Sequence, residues 1–318
     1  MSRPVVVVTD YVFPDLEPTK KVMERIDAEI RVAASRETED VLAVARDADG
    51  IITCYADMNA EVIGQLENCK IITRTGTGYN NIDVAAATEA GIRVANVRAY
   101  CDDEVSDHAM ALLLGLIRKI SYLNAAVHNG TWDESMAKPL HRIRGSVLGL
   151  AGFGNIPRQV AVKAQAFGMT VQAFDPYCDA ETFASAGVTG VSLDELIATS
   201  DHISVHAPLT DETHHMFDAD AFSRMKPGTL LVNTARGPLV DVDALADALD
   251  SGQIAGAGLD VLPTEPPTSD LRLIGRDDVL LTPHVGFYSE NSVHDLQAGA
   301  AEQVALVLSG QEPQFPVN

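Results

Sequence analysis

Positive charge is scarce in this sequence. Lys and Arg number 23 against 45 Asp and Glu, a formal net charge of −22 over 318 residues. Nucleic-acid backbones and anionic membrane surfaces are drawn to basic patches, so no nucleic-acid or membrane partner is expected. Cysteine is scarce as well. Cys54, Cys69, Cys101 and Cys178 stand far apart and form no C-x-x-C pair, which argues against a zinc or dithiol motif and suits a reducing cytosol. Long hydrophobic runs are missing. Val5–Val8 is too short for the core of a signal peptide. The longest apolar stretch, Ala109–Ile117, has nine residues, where a spanning helix needs about 20. The expectation is a cytoplasmic protein, with no appended regulatory domain after Asn318. Apolar residues make up 46% of the chain, enough for full cores in about two domains.

What is present is alternation. Short β-rich runs occupy Pro4–Thr9, Ile30–Ala33, Gly50–Cys54, Lys70–Thr73 and Arg93–Val97. A second series occupies Val147–Ala151, Thr170–Asp175, Ile203–His206, Thr229–Asn233, Ala255–Asp260 and Val279–Thr282. Helical segments such as Pro18–Ala28 and Asp83–Ala90 lie between them. This pattern predicts parallel sheets with helices on both faces. The spacing of Met110, Leu113, Leu114, Ile117 and Ile120 predicts one long helix over Glu104–His128. Val293, Leu296, Val304 and Val307 predict a last helix over Glu290–Ser309.

Residues 146–160 read SVLGLAGFGNIPRQV. An apolar strand ends at Ala151 and Gly152-Phe153-Gly154 turns into a helix, with Asn155 and Ile156 in its first turn. The first glycine permits the tight turn and the second lets the backbone approach a pyrophosphate. The helix N-terminus then offers its N–H groups to the phosphate charge. The third glycine of this fingerprint is replaced by Pro157, which falls in the first helical turn, where an N–H has no intrahelical partner. Asp175 ends the next strand 21 residues after Gly154, the place of an acid that accepts hydrogen bonds from an adenine ribose. No Arg follows in Pro176–Cys178 to meet a 2′-phosphate, so NAD is expected rather than NADP.

Three further segments follow predicted strands: VNTARGPLVD at 232–241, GAGLDVLPTEPP at 256–267 and LTPHVGFY at 281–288. They set an Arg, a Glu and a His at the edge of an open sheet where ligands bind. With these four ordered motifs the sequence resembles the D-isomer-specific 2-hydroxyacid dehydrogenases, in the branch of 3-phosphoglycerate dehydrogenase, hydroxypyruvate/glyoxylate reductase and the C-terminal-binding corepressors. The resemblance runs from about Val5 to Asn318. It implies Arg236, Glu265 and His284 as the catalytic trio and places Asp260 near the nicotinamide carboxamide. It also implies that His206, Pro208 and Thr213 line the cofactor, that Thr234 and Ala235 lie near the nicotinamide ribose, and that Gly286 belongs to the same wall.

The chemistry supports these roles. Interconverting a 2-hydroxy acid and a 2-keto acid requires a group that moves the hydroxyl proton. Histidine, titrating near pH 6.5, does this close to neutrality. A neighbouring carboxylate favours the protonated ring, so Glu265 is expected to orient and charge His284. Arg236 would hold the substrate carboxylate or polarise the keto oxygen. No metal is needed. Asp103, Asp107 and His108 stand close in sequence but carry no expected metal role, and Glu104 and His108 are expected on a helix face.

Residues 74–83 read RTGTGYNNID. The resemblance implies that backbone N–H groups around Thr75, Gly76, Thr77 and Gly78 bind the substrate carboxylate. The two glycines suit a close anion nest. Asn80 stands where the family more often has Asp. The basic cluster Lys138, His141, Arg142 and Arg144 admits two readings, a solvated linker or a site for a second anionic group on the substrate.

The resemblance implies an α/β protein of two doubly wound parallel-sheet domains, a Rossmann nucleotide-binding domain (99–288) inserted into a flavodoxin-like substrate domain (1–98 and 289–318). It implies a cleft between them closed by hinge motion and a homodimer built on the segment around 100–128. The expected function is hydride transfer between NAD(H) and a small D-2-hydroxy acid or 2-keto acid such as 3-phosphoglycerate, glycerate/hydroxypyruvate or glyoxylate. An NAD(H)-sensing scaffold of the corepressor kind is the alternative. A formate dehydrogenase is weaker, because formate has no hydroxyl proton for Glu265 and His284 to handle.

Overall fold

The structure, a computed structural model, describes residues 3–318. The chain divides into two compact units. One runs to Cys101 and is completed by Tyr288–Asn318; the other is Asp102–Phe287. In the first, the order is β1 (Val5–Val8), α1 (Glu17–Glu24), β2 (Glu29–Val32), α2 (Thr38–Ala45), β3 (Gly50–Thr53), α3 (Ala60–Ile63), β4 (Ile71–Arg74), α4 (Val84–Glu89) and β5 (Arg93–Ala95). The second adds α5 (Asp102–Ile117), α6 (Ile120–His128), β6 (Val147–Ala151), α7 (Asn155–Ala166), β7 (Thr170–Phe174), α8 (Ala180–Ser185), β8 (Thr189–Gly190) and α9 (Leu193–Thr199). It continues through β9 (His202–Val205), α10 (Ala219–Arg224), β10 (Thr229–Asn233), α11 (Val242–Asp250), β11 (Ile254–Leu259) and β12 (Val279–Leu281). The chain then returns to the first unit as α12 (Glu290–Leu308).

The first unit carries a five-stranded parallel sheet in the order β2-β1-β3-β4-β5, the flavodoxin-like arrangement. Its central strands read VVVV, GIIT and IITR and are almost wholly buried, as strands covered on both faces must be. Helix α12 packs on α1, β3 and β4. Ser289 caps it by accepting from the Ser292 N–H, with the reciprocal bond from Ser289 N–H to Ser292. After α12 the tail runs back beside β5. Val317 N–H donates to Val94 O at 2.8 Å, the Asn318 side chain accepts from Val94 N–H at 2.7 Å, and the antiparallel bridge Ala95–Pro316 covers that sheet edge.

The second unit carries seven parallel strands in the order β12-β11-β10-β9-β6-β7-β8. This is the Rossmann order with one added strand, and its reversal lies between β9 and β6. All eleven expected strands are present; β8 was not anticipated, because two residues, Thr189–Gly190, carry no periodicity. The expected single helix over Glu104–His128 is two helices. Lys119 adopts φ 52°, a left-handed backbone that ends α5, and α6 leaves at 60° to it. The burial explains why. Val105, Ala109, Met110, Leu112, Leu113 and Ile117 are buried, while no residue of α6 is. The apolar spacing passes through the break, but packing against the sheet stops at Ile117. Among the described residues no single helix is long and apolar enough to cross a membrane.

Candidate active site

The site of the second unit is assembled from the carboxyl ends of its strands. Gly152 follows β6 with φ +102°. A Cβ there would lie 2.8 Å from the His206 carbonyl carbon and 2.9 Å from Ala207 N, so only glycine lets the turn close on the end of β9. Its N–H donates to Phe174 O at 2.8 Å. Phe153 is wholly buried and packs on Phe183 with ring centroids 5.0 Å apart. Its N–H donates to Asp175 Oδ2 at 2.8 Å, and Tyr177 N–H donates to Asp175 Oδ1 at 2.9 Å. Asp175 is thereby fixed beside the glycine turn with lone pairs to spare on both oxygens.

These residues fit a dinucleotide. Gly154 caps α7 without a side chain, and nothing lies within 4 Å of where its Cβ would be. The first turn of α7 has no acidic residue of its own, and its N–H groups carry the positive end of a twelve-residue helix behind them. Pro157 is buried in that turn. The first i→i−4 bond is made by the next residue, Arg158 N–H to Gly154 O at 3.3 Å, so the proline removes no helical bond. At the end of β10 the Thr234 hydroxyl is buried without a protein partner, an orphan that a ligand hydroxyl would satisfy. His206 Nε2 lies 2.8 Å from Ser204 Oγ, and burial pushes this imidazole down to about 3, so it is neutral at physiological pH. Thr213 folds its hydroxyl onto its own loop, donating to Pro208 O at 2.6 Å and accepting from Thr210 N–H at 2.8 Å.

Arg236, Glu265 and His284 come from three consecutive strand ends, and the backbone binds those ends together. Asp260 N–H donates to Asn233 O at 3.0 Å, and His284 N–H donates to Asp260 O at 2.8 Å. Asn233 also braces the arginine turn: its Nδ2 donates to Arg236 O at 2.8 Å and its Oδ1 accepts from Ala235 N–H at 2.9 Å. Gly237 then presses on the next loop, where a Cβ would lie 2.0 Å from the Leu262 carbonyl carbon. Leu262 N–H donates to Glu265 Oε1 at 2.9 Å, and Glu265 Oε2 faces His284 Nδ1 at 2.7 Å. Burial alone would raise the Glu265 carboxyl, but the bonds from His284 and Leu262 outweigh it and hold it below the usual range. An ionised carboxylate only accepts, so Nδ1 carries a proton and Nε2 is the atom left for chemistry. His284 has φ 53°, an uncommon backbone for a non-glycine residue that costs on the order of 1 kcal/mol. The side chains of His284 and Glu265 are 35% and 37% exposed, open enough to meet a ligand.

Asp260 sits behind this pair, 3% exposed. Its carboxylate accepts from Thr282 Oγ1 at 2.6 Å, Val285 N–H at 2.9 Å and Gly286 N–H at 2.8 Å. Burial would raise it, but these bonds and His108 at 3.4 Å bring it down to about 2. His108 Nε2 lies 2.9 Å from Thr282 Oγ1. The threonine proton is spent on Asp260, so His108 is the donor in that contact. His108 and Thr282 were not anticipated here. They stand 174 residues apart, and the only signal for either was the position of His108 on a half-buried helix.

In the first unit, the loop after β4 is narrower as an anion nest than expected. Thr75 N–H donates to Thr53 O at 2.7 Å and Gly76 N–H to Arg74 O at 3.0 Å. The N–H groups of Thr77 and Gly78 have no partner among the described residues. The Thr77 side chain and carbonyl are tied down by Val97 O at 3.0 Å and Asn96 Nδ2 at 2.7 Å.

The placement of the basic cluster argues against its second-anion reading. The basic cluster does not join the strand-end site of its unit: His141, Arg142 and Arg144 line a cavity of about 850 Å³ with Ser146, His202 and Lys226. Those partners precede or begin β6, β9 and β10, so the cavity is at the amino edge of the sheet and the glycine turn at the carboxyl edge. Asp103, Asp107 and His108 do not converge either. Lys163 takes Asp107 at 2.7 Å and approaches Asp103 at 3.9 Å, while His108 turns to Thr282.

Known proteins agree with this architecture. The family model described as D-isomer specific 2-hydroxyacid dehydrogenase, NAD binding domain, matches residues 110–286. The hydroxypyruvate reductase of Thermotoga maritima is 38% identical over 275 residues, 86% of this chain and 88% of that one. The D-3-phosphoglycerate dehydrogenase of Mycobacterium tuberculosis is 38% identical over 319 residues, covering 100% of this chain and 59% of that protein. The chain thus spans about 59% of the length of that curated relative. Among solved structures, the holo form of Rhodotorula graminis D-mandelate dehydrogenase has a TM-score of 0.90 at 32% identity, over 100% of this chain and 98% of that one. The D-lactate dehydrogenase from Aquifex aeolicus, complexed with NAD and lactic acid, has 0.86 at 28% identity over 96% of each chain. The chain belongs to the D-isomer specific 2-hydroxyacid dehydrogenase family. Its cofactor is NAD.

Proposed function

We propose that this protein is an NAD-dependent oxidoreductase that interconverts small D-2-hydroxy acids and 2-keto acids. The observation that carries the reading is the Glu265–His284 contact of 2.7 Å, at strand ends continuous with Arg236, Asp260 and the open glycine turn. Bound NAD(H) supplies or accepts the hydride. His284 Nε2 accepts the hydroxyl proton in oxidation and gives a proton to the keto oxygen in reduction. Glu265 holds the ring in the tautomer that leaves Nε2 free and stabilises its charged form. Arg236 binds the carboxylate or keto oxygen through charged hydrogen bonds, and the Thr77 and Gly78 N–H groups bind the carboxylate. Asp260, ionised and fully hydrogen-bonded, fixes the turn through Gly286 beside the nicotinamide end.

In this reading the Asp102–Phe287 unit is the nucleotide domain, the other unit is the substrate domain, and the protein is cytoplasmic. The 3-phosphoglycerate, glycerate/hydroxypyruvate and glyoxylate pairs are the first substrates to assay, given the names of the relatives. NADH oxidation on a panel of 2-keto acids tests the proposal. Turnover is expected, with kcat/KM for NADH at least about 100-fold above that for NADPH because Asp175 would repel a 2′-phosphate. No turnover across the panel would favour an NAD(H)-sensing scaffold, and equal use of both cofactors would remove the role given to Asp175.

A further inference from the structure

Asp260 accepts unequally on its two oxygens. Oδ1 takes the Thr282 hydroxyl at 2.6 Å and the Val285 N–H at 2.9 Å, and His108 Nε2 lies 3.4 Å from it. Oδ2 takes one donor, the Gly286 N–H at 2.8 Å. A carboxylate oxygen has about two lone-pair sites, so Oδ1 is filled and Oδ2 keeps one. A carboxylate free to turn about its last torsion would exchange the two oxygens. Thr282 can prevent this only while its own hydroxyl is held. His108 holds it, donating from Nε2 to Thr282 Oγ1 at 2.9 Å.

The imidazole is itself fixed from several sides. Helix α5, which carries it, packs on β10 and β11, the strands that lead to Arg236 and Asp260. On its other flank Lys163 of α7 ties down the first turns of α5, at 2.7 Å from Asp107 Oδ1 and 2.6 Å from Ser106 Oγ. The loop after β12 closes over the pair. A Cβ on Gly286 would lie 2.9 Å from Asp260 Oδ2 and 3.3 Å from His108 Cδ2, so glycine lets that loop rest on both groups. The His108 side chain is 22% exposed and that of Asp260 3%. His108, Thr282 and Asp260 thus form one chain of hydrogen bonds that runs from the helix to the strand end.

We propose that His108 is a positioning residue for the cofactor: through Thr282 it locks the Asp260 carboxylate, so that the spare lone pair on Oδ2 is kept for the carboxamide N–H of the nicotinamide. This rests on the placement of Asp260 at the nicotinamide end in the function proposed above. His108 acts through Asp260 and not on the reacting atoms, so its contribution belongs to one end of the dinucleotide. The adenosine and pyrophosphate, which meet the glycine turn and Asp175, do not draw on it.

The test compares calorimetric binding of NADH and of ADP-ribose, which lacks the nicotinamide, to the whole chain. In His108→Leu, NADH affinity is expected to fall about tenfold, since loss of a buried hydrogen bond that steadies a charged group costs about that much. ADP-ribose affinity is expected to hold. Thr282→Val, which keeps the shape and drops the hydroxyl, should repeat the split. His108→Gln, which sets an amide N–H near the place of Nε2, should restore most of the NADH affinity. An equal fall for both ligands would leave His108 only a structural role, and no fall for either would leave it none; each overturns the proposal, as does a loss in His108→Gln equal to that in His108→Leu. Asp260→Asn separates this proposal from the placement it rests on. If Asp260→Asn leaves the ratio of the two affinities unchanged, Asp260 is not at the nicotinamide end and that placement falls together with the proposal. If Asp260→Asn loses NADH selectively and His108→Leu does not, only the role of His108 falls. Binding needs no substrate, so an absence of turnover on 2-keto acids would overturn the enzyme reading alone.

Discussion

Single atoms decide much of this site. Gly237 leaves no room for a methyl group against Leu262, so Gly237→Ala is expected to cost about 1–3 kcal/mol through overpacking and to displace Arg236. Urea unfolding and kcat/KM should fall together; loss of neither would show that the contact relaxes freely. His284→Asn keeps a side chain that tolerates the left-handed backbone but removes the proton carrier. A fall in kcat of about 10²–10⁴ with the fold retained is expected, and near-normal turnover would exclude His284 from the chemistry. In Glu265→Gln the carboxylate that fixes the His284 tautomer is lost, so kcat is expected to fall by about 100-fold; an unchanged kcat would leave Glu265 only a packing role. Asp260, held at about 2 against an ordinary 3.8, contributes stability that is complete above pH 4 and lost as pH falls toward 2. This amounts to about 2 kcal/mol. Asp260→Asn should be less stable at pH 7 and show a shallower loss between pH 4 and 2 in denaturant titrations.

At the scale of elements, the legible features were those written in adjacent residues. The β6–α7 turn declares itself because Gly152, Gly154 and the start of α7 are contiguous, and Asp175 follows at the end of the next strand. A Gly152→Ala chain should lose NAD affinity by tenfold or more, read by quenching of its fluorescence, because the new methyl group meets the His206 carbonyl. The strand ends carrying Arg236, Glu265 and His284 were legible from motif order. What stayed hidden depended on packing across long separations. Nothing in VSDHAM couples His108 to Thr282. The periodicity across Ile117 and Ile120 does not reveal that the sheet beneath stops supporting the helix at Lys119. The Arg142–Arg144 cluster left both a linker and an anion-site reading open, because charge is visible in a sequence and sheet edges are not.

At the scale of the molecule, α6 is a helix without an inward face. It buries no residue, and Ile120 and Val127 are 58% and 48% exposed, with Trp132 beyond it at 90%. Exposed apolar surface of this kind favours association, and we propose that it contributes to a homodimer. Ile120→Arg combined with Val127→Glu should shift the mass measured by light scattering from dimer to monomer; a monomeric parent chain would dismiss the proposal.

Because α12 closes the sheet made by the first hundred residues, that sheet cannot be finished during synthesis until the whole of Asp102–Phe287 has been made. At about 5–20 residues per second this is a wait of roughly 10–40 s, during which β3 and β4 lack their helical cover. The Asp102–Phe287 segment has no such debt, since its own residues are contiguous. The order of emergence from the ribosome therefore differs from the order in which the two halves can become native, and the first half to be born is the last to be complete.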